Sequence, residues 1–118
     1  MEIADGLYVL PASVIAIVVE GSDAKVCFAG TMAIKVPCGS EKGAKEEGLR
    51  MAKKLGMKTF WSSFHAHSVD AVTANGKRVL VWFGERELAV EASNEVLAAA
   101  LADRIASKML SPPSPPGT

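Results

Sequence analysis

Ser13-Val14-Ile15-Ala16-Ile17 is answered further along the chain by Ser68-Val69-Asp70-Ala71-Val72. Lys25-Val26-Cys27-Phe28 is then answered by Arg78-Val79-Leu80-Val81, and Ile34-Lys35-Val36 by Leu88-Ala89-Val90. Each copy runs on into a helical pattern. Self-similarity of this kind governs the fold before any local signal is weighed. The correspondence of residues 13–55 with 68–109 predicts two like units inside one domain, related by a pseudo-twofold.

Local signals extend each unit. Tyr8 to Leu10, Val14 to Glu20, Lys25 to Ala29 and Met32 to Val36 read as strands, with turn residues at Gly21-Ser22-Asp23 and Gly30-Thr31. Pro37 ends the run, and Ser40 caps a helix whose Ala44, Gly48, Met51, Ala52 and Leu55 share one face. Gly56 closes it. Lys58 to Phe64, His67 to Ala74, Lys77 to Phe83 and Arg86 to Ala92 read as four more strands, with the Asn75-Gly76 hairpin signal between them. Ser93 or Asn94 then caps a helix reaching about Met109. The expectation is an α+β domain over residues 1–110. Antiparallel sheet is built from two ββββα repeats, 8–56 and 58–109, with the helices packed on one face. Residues 111–118, Ser-Pro-Pro-Ser-Pro-Pro-Gly-Thr, read as an extended proline-rich tail.

Composition narrows the function classes. The chain has 118 residues, 49% of them apolar, with 13 basic and 13 acidic side chains. A balanced charge supplies no global pull toward nucleic acid or membrane, so any such binding rests on local clustering. No apolar run is long enough to span a membrane. Met1 to Asp5 has no basic leader before an apolar stretch, so no signal peptide is expected. Cys27 and Cys38 are too few for a disulfide framework and read as buried thiols, which points to the cytoplasm. The chain has no glutamine and only two asparagines, Asn75 and Asn94, a depletion that fits a thermophile.

Strand alternation picks out the candidate site. Val79, Val81 and Phe83 share one face of their strand, while Arg78, Leu80 and Trp82 share the other. If the helices cover the valines, Trp82 and Arg78 lie together on an open face. Such a surface is a platform for stacking bases or, equally, a dimer interface. Lys58-Thr59-Phe60-Trp61-Ser62-Ser63-Phe64-His65 gathers three aromatics, and alternation separates Trp61 from Phe60 and Phe64. Trp61 and Trp82 are the expected stacking residues, and Lys25, Lys58, Lys77 and Arg78 the expected phosphate contacts. Lys42, Lys45, Arg50, Lys53 and Lys54 are offset by Glu41, Glu46 and Glu47 and read as a solvated helix face. Glu87 and Glu91 argue against a phosphate groove over the whole open surface. His65-x-His67 lacks the third and fourth ligands a zinc site needs. His65, Ser62 and Asp70 lie close in sequence without a nucleophile motif. No cofactor and no catalysis are expected.

The duplicated ββββα layout resembles the Whirly and positive-cofactor class of single-stranded DNA-binding proteins. That resemblance implies antiparallel sheets, helix-mediated oligomers and a strand-face binding surface. The amide-poor composition, Trp61, Trp82 and the Lys/Arg set also resemble crenarchaeal, hence archaeal, ThermoDBP-type proteins, which implies a cleft with an apolar base and basic rims. The expected function is therefore single-stranded nucleic acid binding, to DNA or RNA, by a homodimer or higher oligomer. Two alternatives stand beside it: a protein-interaction module using the same aromatic face, and a small-ligand pocket protein.

Overall fold

A computed structural model of the chain describes residues 1–110; the proline-rich tail expected at 111–118 lies outside the described residues. Among the described residues, ten strands and two α-helices form an α+β fold. Strands β1 (Glu2–Ala4) and β2 (Leu7–Tyr8) pair only with each other. A 3-10 turn at Pro11–Ser13 leads into β3 (Val14–Glu20), β4 (Asp23–Phe28) and β5 (Ala33–Pro37). Helix α1 (Glu41–Leu55) follows. The chain continues with β6 (Lys58–Trp61), β7 (Phe64–Ala66), β8 (Ala71–Asn75), β9 (Arg78–Phe83), β10 (Arg86–Glu91) and α2 (Glu95–Leu110).

Two antiparallel sheets carry the core. The large sheet has the order β5-β4-β3-β7-β6 and the small one β10-β9-β8. A three-stranded meander followed by a helix thus occurs twice, but two equal ββββα units do not form. In the first half the extra strand, β2, pairs with β1. In the second half the expected strand over 58–64 folds back on itself at Ser62-Ser63, and the resulting β6–β7 hairpin joins β3 of the first half. The strand expected from His67 starts only at Ala71. Nor do the helices share one face. Helix α1 packs on β3 and β4 of the large sheet, whereas α2 packs mainly on β8 and β9 of the small one.

Local chemistry explains both helices. The Ser40 hydroxyl accepts from the Gly43 amide at 2.9 Å, and Gly56 takes φ 71° to stop α1. Asn94 Oδ1 accepts from the Leu97 amide at 2.9 Å at the start of α2. Each sheet face then receives its cover. Ile17, Ala24, Val26 and Phe28 meet Met51, Ala52 and Leu55 of α1. Ala16, Val18 and Cys27, on the opposite face, meet Val79, Val81 and Phe83 of β9 and Ala98 and Ile105 of α2. The large sheet is therefore buried on both sides within the chain. Along α2, Ile105 is buried, whereas Leu97 is 50% exposed.

Phe60, Trp61 and Phe64 do not separate by alternation. A register shift between Thr59 and Trp61 turns the strand, and all three aromatics join the core between the two sheets. Phe64 lies with ring centroids 5.4 Å from Phe60, 5.0 Å from Trp61 and 4.9 Å from Phe83, within the range of favourable aromatic pairs. Arg86 donates to the Phe28 and Met32 carbonyls, tying β10 to the end of β4.

Candidate functional site

The residues expected to bind nucleic acid fall on two different faces. Register places Lys25, Val18, Phe64 and Trp61 in one row across the large sheet, and Cys27, Ala16, Ala66 and Lys58 in the next. Both rows lie on the face roofed by the small sheet and α2. Trp61 is half-buried against Phe64. Lys58 Nζ donates to the Lys108 carbonyl at 3.2 Å. Lys25 pairs with Glu20 at 3.0 Å. Trp61 lines a cleft of about 410 Å³ with Val18, Leu88 and Val90, and the charged residues at that cleft are Glu20 and Glu91.

Trp82, Arg78 and Lys77 belong to the small sheet. Val79, Val81 and Phe83 point inward, so Arg78, Leu80 and Trp82 form the outer face as alternation predicts. Its rows are Ala71–Trp82–Glu87, Thr73–Leu80–Ala89 and Asn75–Arg78–Glu91. Trp82 and Leu80 are half-exposed in the middle strand. The indole N–H donates to Glu87 Oε2 at 3.1 Å. Arg78 is exposed beside Glu91, and Lys77 is exposed in the β8–β9 turn, where Gly76 takes φ 63°. This face is built mostly from small and polar residues around one tryptophan. It carries one arginine against two glutamates.

A second site lies on the other side of the large sheet. Register aligns Val26, Ile17, His65 and Thr59 on the face beneath α1. His65 is 1% exposed. Its Nδ1 shares a 2.8 Å hydrogen bond with Thr59 Oγ1, while Nε2 is buried with no hydrogen-bond partner. Burial pushes the imidazole below its ordinary 6.5, and the Lys108 charge acts in the same direction, so the ring is neutral at pH 7. Helix α1 approaches this point through Gly48. A β-carbon there would lie 3.0 Å from Val19 Cγ2 and 3.8 Å from His65 Nε2. Alongside, a groove of about 420 Å³ is lined by Lys45, Glu46, Leu49, Thr59, Ser62 and His65. Sequence alone marks His65 as a basic neighbour of Trp61, a metal-ligand candidate or a triad member, and not as a buried ring nitrogen under α1. The available signal was its place in an apolar strand, opposite a hydroxyl.

Among the described residues no cluster of histidine, cysteine and carboxylate side chains could hold a metal ion. No described helix is long and apolar enough to cross a membrane. Cys27 is buried, which raises its thiol above the ordinary range, and Cys38 is half-buried. The chain matches no protein-family model, no curated protein and no solved structure.

Proposed function

We propose that this protein is a non-catalytic binding module whose small sheet is the contact surface, and that its first partner is a second copy of itself. The observation that carries this reading is the edge formed by β8. The other edge strands of the two main sheets carry a guard against pairing. β5 has Lys35 and Pro37, β6 has Lys58 and a register shift, and β10 has Arg86, Glu87 and Glu91. β8, Ala71 to Asn75, has no charge, no proline and no register shift. Helix α2 packs most heavily over this strand, yet leaves Val96 77% and Leu97 50% exposed. Pairing β8 with its symmetry mate joins two small sheets into one of six strands. The pairing also brings together two copies of α2, whose apolar residues then cover each other.

Light scattering on the full chain tests this. The expected mass is a dimer, and Thr73→Lys, an exposed change that charges the edge, should give a folded monomer. A monomeric parent chain would refute the proposal.

Single-stranded nucleic acid is the second reading, favoured by Trp82, Arg78 and Lys77 on one hairpin. A joined sheet doubles that set while Glu87 and Glu91 oppose it. Here oligo-dT should quench tryptophan fluorescence at low salt. Trp82→Ala should weaken binding roughly tenfold, since one stacked base is worth about 1–3 kcal/mol. Fluorescence indifferent to oligo-dT would eliminate this second reading and leave the first standing.

A further inference from the structure

We propose that the groove between α1 and the β6–β7 hairpin binds a small, mostly apolar molecule bearing one neutral hydroxyl, which hydrogen-bonds to His65 Nε2. Two independent features meet here. The first is the groove, at about 420 Å³ within the range of small-ligand sites. The second is the imidazole at its floor. His65 is 1% exposed, and its Nε2 has no partner. A buried polar nitrogen without a hydrogen bond costs stability, so a ligand that satisfies it gains affinity from the site's own deficit.

The chemistry of the walls selects the head group. The ring is neutral, so it offers no charge to hold a carboxylate or an ammonium. Thr59 Oγ1 fixes only one ring nitrogen. A hydroxyl can either donate to Nε2 or accept from it, so it suits both tautomers of the imidazole. At the rim Lys45 is already paired with Glu41 at 3.2 Å. Lys108 faces the same region from α2, but its ammonium donates to the Thr59 carbonyl. An entering carboxylate would lose its hydration without finding a free cation there. Leu49, 37% exposed, supplies the apolar wall. Gly48 has no β-carbon to crowd that nitrogen.

This site is on the opposite side of the large sheet from the proposed self-association surface, so either reading can fail without the other. The test uses three probes of one shape on the full chain: 4-ethylphenol, ethylbenzene and 4-ethylbenzoate. Binding is followed by the ¹⁵N shift of His65 Nε2 and by amide shifts. Expected is saturable binding of 4-ethylphenol that moves His65 Nε2, with ethylbenzene and 4-ethylbenzoate each weaker by about tenfold or more. Leu49→Trp fills the groove from its exposed side and should abolish binding with the fold intact. His65→Phe should reduce the phenol to the affinity of ethylbenzene. The proposal is overturned if ethylbenzene binds as well as the phenol, if the benzoate binds best, if Leu49→Trp binds unchanged, or if no probe saturates.

Discussion

His65 is the residue at which the fold is least satisfied, and its protonation has a thermodynamic consequence. Folded, the imidazole resists charging because it is buried and Lys108 is near; unfolded, it titrates at the ordinary 6.5. The unfolded chain therefore binds more protons below that value. The sign follows from linkage: stability is fully present above about pH 6.5 and is lost as pH falls toward the lower, folded value. The ring's side-chain hydrogen bond is to the neutral Thr59 hydroxyl, which brings no negative charge to the imidazolium. Urea titrations between about pH 7 and 5 should show unfolding free energy falling for the parent chain. In His65→Gln that slope should flatten by as much as one proton. Parallel slopes for the two proteins would mean that His65 charges freely in the folded state. Sequence alone gave no access to this. A lone histidine in a strand looks the same whether its second nitrogen is satisfied or not, and only the approach of α1 through Gly48 decides it.

At the scale of elements, what could be read in the sequence was whatever is specified locally. Ser40, Gly56, Asn94 and the glycine turns place helix ends and hairpins through groups a few residues apart, and the structure puts them there. Ser40→Ala should cost about 1 kcal/mol, and Ser40→Gly only a few tenths, because the cap's conformation is kept while its hydrogen bond is lost. No loss in either variant, measured by denaturant midpoint at unchanged slope, would show that the hydroxyl does not matter. The β6–β7 hairpin was not legible. Its residues read as one long aromatic strand, and nothing local says that Ser62-Ser63 turns or that the returning strand pairs with β3. That pairing joins residues far apart in the chain, as Ile17 opposite His65 illustrates. The same feature puts Trp61 and Trp82 on different faces. Alternation assigned Arg78 and Trp82 to one face correctly, because β9 is regular. It failed for Trp61, because the register shift in β6 moves that ring into the core.

Over the whole molecule, the hairpin that broke the repeat is what binds the two halves together. The large sheet draws strands from both halves of the chain, and the core between the sheets contains Ala16, Val18 and Cys27 from the first and Val79, Val81, Phe83 and Ile105 from the second. Phe64 stands at the centre of this junction, 0% exposed and in ring contact with Phe60, Trp61 and Phe83. Two self-contained units would unfold separately, whereas a shared core makes one cooperative transition. Phe64→Ala should therefore cost about 3–5 kcal/mol, the usual loss for removing a buried ring with incomplete collapse. A small domain has about 5–15 kcal/mol in all, so the variant should be near the limit of folding. The milder Phe64→Leu should keep the fold and lower the midpoint. In both variants, probes in each half should move together: Trp61 fluorescence for the shared core, and amide exchange in β4 and β9 for the two sheets. If β4 keeps its protection while β9 loses it, the halves are independent, and the aromatic junction is a contact between domains rather than the centre of one.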